Sequence, residues 1–145
     1  MSLDTSPLTI GALAAQTGCN VATIRYYEEI GLLPKASRGP GGHRVYRDSD
    51  LRRLTFIRRC RDFQFPIEQV RELVDLIENP ERDCSVARDL AEDHLVVVRK
   101  KLVELRALEK GLAQFAESCA SKCAGGPASG CVILEDLSAS TTTCC

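Results

Sequence analysis

Three cysteine residues are placed so that their thiol groups could act together only between two copies of the chain. Cys84 and Cys119 lie 35 positions apart, at opposite ends of a segment whose pattern predicts one uninterrupted helix, and Cys131 follows in a loop rich in glycine and proline. At about 1.5 Å of rise per residue, such a helix would hold the first two sulfur atoms roughly 50 Å apart, beyond the reach of a disulfide or a shared metal ion. If two copies of the helix pair antiparallel, Cys84 of one copy comes to lie beside Cys119 and Cys131 of the other.

Such a pair would contain two sites with three thiolates each. Thiolates are soft ligands, and they favour mercury, cadmium, lead and zinc. Three sulfur atoms suit trigonal mercury or lead, and a fourth thiol from Cys123, in the same loop, would make a tetrahedral set suited to cadmium or zinc. The spacing therefore predicts a homodimer whose metal ligands are Cys84, Cys119 and Cys131, with Cys123 as a candidate for a fourth.

The composition favours a cytoplasmic protein. No run of apolar residues reaches the length of a membrane span, and the start of the chain has neither the basic segment nor the apolar segment of a secretory signal. Eight cysteines in a reducing compartment do not predict a disulfide framework, so the clustered ones are better explained as metal-binding or redox-active. We expect Cys19 and Cys60 to be ordinary small side chains, and the sequence assigns no role to Cys144 and Cys145.

The N-terminal pattern predicts a helix-turn-helix. Apolar residues from Leu8 to Ala14 predict a short helix, which the stretch Thr17-Gly18-Cys19-Asn20 should end in a tight turn. A second helix is predicted over Val21 to Ile30, and Pro34 stops it. In this arrangement the second helix can enter the major groove of DNA.

A glycine- and proline-rich segment after the second helix predicts a β-hairpin wing. The segment runs from Lys35 to Arg47 and ends in the alternation His43-Arg44-Val45-Tyr46. The next helix is predicted from an N-cap in Asp48-Ser49-Asp50 to about Asp62. Between Lys35 and Arg61 there are nine lysine and arginine residues and two aspartates, an excess of +7 that favours binding to phosphates.

Arg25 on the second helix is the best candidate for reading a base edge, because its planar guanidinium can pair with guanine. The residues predicted to hold phosphates lie on the second helix, the wing or the arginine-rich helix. They are Thr23, Tyr26, Tyr27, Arg44, Tyr46 and Arg58. We expect the aromatic residues Phe56, Phe63 and Phe65 to lie in the core.

Two more helices complete the predicted chain. A short one spans Ile67 to about Ile77, and a long one starts near Asp83 to Ser85. Apolar residues of the long helix recur at alternating steps of four and three, with Glu109 as the polar interruption, a pattern typical of the seam of a two-stranded coiled coil. The seam residues are Ala91, Leu95, Val98, Leu102, Leu105, Leu112 and Ala116. His94 lies beside this seam, and we expect it to pack or to form a hydrogen bond instead of binding metal.

The predicted fold is mainly α-helical, with a winged helix-turn-helix DNA-binding domain, a long antiparallel coiled-coil dimerisation helix and a short C-terminal metal-binding loop. The predicted boundaries are 1–80 for the DNA-binding domain, 81–118 for the dimerisation helix, 119–137 for the loop with a short helical turn, and 138–145 for a disordered tail that ends in two cysteines. Since a long amphipathic helix needs a packing partner, we expect only the first domain to be compact by itself.

Four segments of the chain resemble the MerR family of transcription regulators: LTIGALA, TIRYYEEIGLLP, GGHRVYRDSDLRRLTFIRRCR and CSVARDLAEDHL. The second block, followed by the R-x-Y of the wing, is highly specific, and the resemblance extends from Leu8 to about Leu137. It implies a homodimer that is joined by antiparallel helices and bound to promoter DNA with an overlong spacer. The resemblance also implies that the dimer distorts this DNA for RNA polymerase when its effector binds.

The family resemblance implies metal sensing as well. In the metal sensors of the family, one cysteine begins the dimerisation helix and two or more follow in the loop, which are the positions of Cys84, Cys119 and Cys131. Members that sense copper, silver or gold have serine at the position of Cys84, so this cysteine implies a divalent heavy metal ion, namely mercury, cadmium, lead or zinc, as the effector. The loop differs from that of the zinc sensors because Cys123 is an additional thiol and no histidine is present.

Three other classes of protein fit the sequence less well than a metal-responsive regulator does. Loop thiols that hold an iron-sulfur cluster or oxidise to disulfides would make the protein a redox sensor, but the loop supplies three cysteines instead of four, and Cys84 would have no role. A drug-binding regulator needs more than the 14 residues that follow Cys131. We expect no enzyme activity, because the sequence has no phosphate loop and its histidines are His43 and His94 alone.

Overall fold

The computed structural model describes residues 6–122 and 125–139. The chain divides into two compact units, Met1–Ala91 and Glu92–Cys145. In chain order the elements are β1 (Leu8–Thr9), α1 (Ile10–Thr17), α2 (Val21–Glu29), β2 (Ser37–Arg38), β3 (Arg44–Tyr46), α3 (Asp48–Asp62), α4 (Ile67–Glu78), α5 (Ser85–Lys122), a 3-10 turn (Ala128–Gly130) and α6 (Val132–Ser138). The mainly helical fold is confirmed. Cys123 and the predicted tail beyond residue 139 lie outside the described residues.

Side-chain caps define the two helices of the helix-turn-helix. The Thr9 hydroxyl accepts a hydrogen bond from the Ala12 amide (3.1 Å) at the start of α1, and the Asn20 side-chain oxygen accepts one from the Thr23 amide (2.7 Å) at the start of α2. Gly18 ends α1 with a φ of 68°, in the left-handed region that favours glycine. The predicted pair of helices with a tight turn between them is therefore confirmed.

A small antiparallel sheet joins the beginning of the first unit to the wing. The central strand is β3, with Leu8 of β1 opposite Tyr46 and Ser37 of β2 opposite Val45. The predicted hairpin is thus confirmed. The prediction that the first helix begins at Leu8 is wrong, because Leu8–Thr9 is a strand that pairs with residues far along the chain.

The first unit encloses a continuous apolar core. Its members are Leu13, Ile24, Tyr27, Leu32, Leu33, Tyr46, Leu54, Ile57, Cys60, Val70 and Val74, and none of them is more than 7% exposed. Phe56 and Phe65 pack against this cluster as predicted, but Phe63, after the end of α3, is 64% exposed, so its predicted core position is wrong. Cys60 is an ordinary core residue, and burial raises the pKa of its thiol.

The second unit contains most of α5 together with α6. The helix α5 is continuous over 38 residues, and His94 is its buried residue. Apolar residues of the predicted seam are largely exposed, for example Leu105 at 61% and Leu112 at 67%. Because α5 continues to Lys122, Cys119 lies on the helix, and the predicted helix end at residue 118 is corrected. No helix in the described ranges is both long enough and apolar enough to span a bilayer.

Candidate nucleic-acid interface and cysteine sites

The outer face of α2 carries residues suited to contact DNA. Arg25 and Tyr26 are exposed, Tyr26 by 47%, and Thr23 is half-buried near the start of the helix. The ring of Tyr26 lies 5.8 Å from that of Tyr27, measured between centroids. Tyr27 is 6% exposed, and burial raises the pKa of its hydroxyl, so it supports Tyr26 and offers little surface for its predicted phosphate contact.

Two grooves between α2 and the wing meet at Arg25 and Arg44. One, of about 480 Å³, is lined by Arg25, Glu28, Glu29, Lys35, Ala36, Arg38 and Arg44. The other, of about 490 Å³, is lined by Thr9, Ile10, Arg25, Gly42, His43 and Arg44. We refer to the first as the basic groove, because it brings four cationic side chains together at one opening. Such an arrangement suits the phosphates of a nucleic acid.

Lys35 and Arg38 belong to the basic groove, although the candidate residues chosen from the sequence did not include them. Both side chains are exposed, and the Arg38 guanidinium also donates to the Gly42 carbonyl across the wing turn (3.0 Å). The signal that could have identified them was the excess of cations in the segment from residue 35 onward. The excess predicts binding to phosphates, but the cations predicted to make these contacts, Arg44 and Arg58, lie further along the chain.

Tyr46 and Arg44 of the wing both contact Glu28 of α2. The Tyr46 hydroxyl donates to one carboxylate oxygen of Glu28 (2.6 Å), and the Arg44 Nη1 lies 3.3 Å from the other. Burial, and then this hydrogen bond, raise the pKa of Tyr46. Since Tyr46 has no exposed surface, its predicted contact with phosphate is wrong, and its role is to join β3 to α2. Arg44 keeps a side-chain exposure of 38% and remains a candidate.

Arg58 is engaged within the protein instead of extending freely from α3. Its Nη1 donates to the Thr17 carbonyl at the end of α1 (2.6 Å), and its Nε lies 3.7 Å from Asp62. A side chain at Gly18 would place Cβ 2.0 Å from the same Nη1, so Gly18 leaves the space that this contact needs. Arg58 therefore has a structural role, because its bond to the Thr17 carbonyl anchors the helix-turn-helix to α3. Its role as a phosphate ligand stays a prediction.

Other arginines around the helix-turn-helix behave like Arg58. Arg53 of α3 donates to the Leu32 carbonyl (2.8 Å) and pairs with Glu78, and Arg71 of α4 donates to the Ile30 carbonyl (2.8 Å). These bonds hold the chain that follows α2 against α3 and α4. The arginine run of α3 is therefore in large part a set of internal hydrogen-bond donors.

The three cysteines predicted to bind metal occupy helix ends. Cys84 is exposed and immediately precedes α5, while Asp83 accepts a hydrogen bond from the Ser85 amide (2.8 Å), which lowers the pKa of the Asp83 carboxyl. Cys119 is half-buried near the end of α5, and Cys131 is half-buried directly before α6. All three are free thiols.

The three cysteines are divided between the two units of the chain. Cys84 belongs to the first unit, and Cys119 and Cys131 belong to the second. Among residues 6–122 and 125–139, no group of three or more cysteine, histidine, aspartate or glutamate side chains is close enough to hold a metal ion. A site shared between two chains stays a prediction, and Cys123 lies outside the described residues.

Near Cys119 and Cys131, α6 borders a groove with the last turns of α5. The groove, of about 430 Å³, is lined by Gln114, Phe115, Ser118, Lys122, Val132, Ile133 and Asp136. The predicted short helical turn is thus a helix of seven residues, which leaves Leu134 and Leu137 exposed by 50% and 66%.

Comparisons with known proteins agree with this architecture. The family described as "MerR HTH family regulatory protein" matches residues 8–77, and the one described as "MerR, DNA binding" matches residues 51–115. The HTH-type transcriptional regulator HmrR of Rhizobium leguminosarum bv. viciae is 36% identical over 131 residues, which cover 90% of this chain and 98% of the relative.

Two solved structures are similar over nearly the whole chain. The transcription regulator PbrR691 from Ralstonia metallidurans CH34, in complex with lead(II), has a TM-score of 0.74 and 38% identity, covering 90% of this chain and 98% of that one. The regulator MerR from Bacillus megaterium MB1, in complex with mercury(II), has a TM-score of 0.65 and 27% identity at the same coverage. Together with the helix-turn-helix, the wing and the long helix, these matches show that the chain belongs to the MerR family of helix-turn-helix transcriptional regulators.

Proposed function

We propose that this regulator binds promoter DNA as a homodimer and activates metal-resistance genes, with RNA polymerase, when a divalent soft metal ion binds thiolates from both chains. Mercury, cadmium and lead are the preferred ions, followed by zinc. The observation that carries the proposal is the long helix α5, whose apolar seam is exposed and whose two ends carry free thiols.

The exposed seam of α5 supports the homodimer. Leu95, Val98 and Leu102 are 41–44% exposed in the single chain, and the seam continues with Leu105 and Leu112. A row of large apolar residues at alternating steps of four and three is stable in water when a second helix covers it. An antiparallel partner would also bring the beginning of one α5 beside the end of the other, which is what the cysteines require.

The exposed side chains of α2 and the basic groove support DNA binding. Arg25 is the candidate for a base contact, and Thr23, Tyr26, Arg44 and Arg58 are candidates for the backbone. Lys35 and Arg38 join them on the evidence of the groove.

The donor set supports a soft metal ion. Cys84 is exposed, and Cys119 and Cys131 are half-buried free thiols, so their sulfur atoms can reach a ligand. PbrR691 and the Bacillus megaterium regulator were solved with lead(II) and mercury(II), which are ions that thiolates favour. When bound, the ion would supply a link between the thiolates of two chains. Because the thiols must lose their protons, the apparent affinity should rise with pH.

In this arrangement the cysteines transmit the signal through the dimer. Holding Cys119 and Cys131 against the beginning of the other chain's α5 would bias the two DNA-binding units toward a second relative arrangement. A coupling of about 1–3 kcal/mol between the two sites is enough for a regulatory response. The promoter would then be distorted in the metal-bound form only.

An anaerobic metal titration tests this function. The reduced protein is titrated with mercury(II), cadmium(II), lead(II), zinc(II) and copper(I) while thiolate-to-metal absorption is followed. We expect tight binding of divalent ions by the wild type and a loss of at least tenfold in Cys84→Ser, on the general scale of about 1.4 kcal/mol per tenfold. The matched control is Cys19→Ser, which changes a half-buried thiol outside the site.

Two results would contradict the proposal in different ways. If Cys84→Ser binds like the wild type, the site is confined to the region after Cys119 and does not bridge two chains. If anaerobically purified protein contains iron and sulfide and absorbs in the visible range, the redox-sensing alternative replaces metal sensing.

A further inference from the structure

Glu28 is a carboxylate buried within the DNA-binding unit. It lies on α2 and is 7% exposed, although glutamate is seldom buried unless its charge is compensated. Both of its oxygens have partners on the wing: the Tyr46 hydroxyl at 2.6 Å and the Arg44 guanidinium at 3.3 Å. These contacts span 18 and 16 residues of the sequence, so they connect the recognition helix to a separate element.

The position of Glu28 relates these contacts to the basic groove. Glu28 and Arg44 both line the groove, beside Arg25, Lys35 and Arg38. Arg44 uses one nitrogen near Glu28 and remains 38% exposed, so its other N–H groups are available to an anion in the groove. Tyr46, which is fully buried, fixes the strand from which Arg44 extends.

We propose that Glu28 is a positioning residue for DNA binding, which fixes the wing strand on the recognition helix and holds Arg44 where it meets a backbone phosphate. The proposal rests on the proposed DNA-binding function and assigns a role to a residue that does not itself contact DNA. A negative charge in a phosphate site would normally oppose binding. The presence of Glu28 in this groove is explained by its contacts, which hold the Arg44 guanidinium and the Tyr46 hydroxyl in place.

The sign of one substitution separates positioning from simple electrostatics. Glu28→Gln keeps the size of the side chain and an acceptor for the Tyr46 hydroxyl, but it removes the charge that faces Arg44. If Glu28 only contributed its charge, the variant would bind DNA more tightly, because repulsion of the phosphates is removed. If Glu28 positions Arg44, the variant binds DNA less tightly even though the protein has become more positive.

The matched control is Glu29→Gln. Glu29 is the next residue of α2, lines the same groove and is exposed, whereas Glu28 is buried. The two substitutions therefore remove the same charge from the same groove, but only Glu28→Gln removes an ion pair with the wing, the one with Arg44. We expect Glu29→Gln to bind DNA somewhat more tightly than the wild type.

The experiment measures dissociation constants for a fluorescent duplex by anisotropy. The duplex is first selected by the wild-type protein from a randomised pool. For Glu28→Gln we expect affinity to fall about tenfold, which corresponds to about 1.4 kcal/mol. Affinity equal to or tighter than that of the wild type would overturn the proposal, and so would an equal loss in Glu29→Gln. If the wild type selects no duplex, the proposed DNA binding has failed, which is a separate result.

A double-mutant cycle tests whether Glu28 acts through Arg44. In the Arg44→Gln background, Glu28→Gln should cause little further loss, because the residue that it positions is already absent. Additive losses in the cycle would overturn the proposal. Circular dichroism and thermal unfolding establish that each variant is folded. Should Glu28→Gln fail to fold, Tyr46→Phe replaces it, since it removes one bond to Glu28 and should also weaken DNA binding; unchanged affinity in that variant would overturn the proposal.

Discussion

The two units of the chain use their apolar side chains in opposite ways. In Met1–Ala91, residues from α1, α2, β3, α3 and α4 form one core whose members are at most 7% exposed. Within Glu92–Cys145, the large aliphatic residues of α5 are 41–67% exposed, and the buried residue of that helix is a histidine. The first unit buries its large apolar side chains within one chain. The second leaves large aliphatic side chains exposed, as the proposed homodimer requires.

This contrast explains how one chain can combine a stable DNA-binding unit with an adjustable sensor. A unit with its own core keeps its shape when its surroundings change. A helix whose apolar face is covered by another chain depends on that chain for its environment, so any ligand that joins the two chains acts on it directly.

The largest effect is expected from a charge placed in the seam. Leu102→Glu should raise the dissociation constant of the dimer more than a hundredfold, because each chain loses the burial of the exposed part of Leu102 and places an unpaired carboxylate in an apolar seam. Val103→Glu is the control, because Val103 is 66% exposed and lies outside the seam. Sedimentation equilibrium gives both constants. Equal masses for the two variants would show that α5 pairs through another face.

An intermediate effect is expected in the core of the first unit. Leu54 is fully buried, and Leu54→Ala should lower the free energy of unfolding by about 2–5 kcal/mol. The measurement is urea unfolding in the Leu102→Glu background, where no dimer contributes. That monomer should still unfold cooperatively. The absence of a cooperative transition would mean that the first unit also depends on a partner.

The smallest effect concerns pH. Burial raises the pKa of Tyr46 in the folded chain above its ordinary value of 10.0. Below pH 10 both states keep the proton and the contribution is fully present; above it the unfolded chain loses the proton first, so stability falls as pH rises. We expect this decline to be shallower in Tyr46→Phe, followed by urea unfolding between pH 8 and about pH 11. Equal slopes would show that the Tyr46 hydroxyl is no better protected than an exposed one.

Local signals predicted the helices well. Asparagine is a favourable N-cap and glycine a favourable residue at the C-terminal end of a helix in any protein. Asn20 and Gly18 take these positions here, so the helix-turn-helix could be located from a few neighbouring residues. The predicted start of α1 at Leu8 is wrong because Leu8–Thr9 pairs with β3. The local sequence pattern does not indicate a strand partner so far along the chain.

Side-chain roles were harder to predict than helices. Tyr46 and Arg58 have the chemistry of phosphate ligands, but Glu28 binds the first and the Thr17 carbonyl binds the second, at separations of 18 and 41 residues. A tyrosine hydroxyl or an arginine guanidinium can form hydrogen bonds inside the protein or contact a phosphate at its surface. Which of the two roles it has depends on where the fold places it. For the cysteines, the sequence supplied an interpretation that a single chain does not test, because the proposed site would take its ligands from two copies.

The internal bonds of the α3 arginines have a consequence for how the protein responds to salt. DNA carries condensed counterions, and a protein releases them in proportion to the phosphates that it neutralises. Arg52, Arg53, Arg58 and Arg61 already bind carboxylates or carbonyls of their own chain, which leaves Arg59 as the arginine of α3 without such a bond among the described residues. Counterion release should therefore be set mainly by α2 and the wing, with a smaller contribution from Arg58, whose guanidinium already contacts the Thr17 carbonyl and Asp62. Affinity for DNA will then be less sensitive to ionic strength than the arginine content of α3 implies.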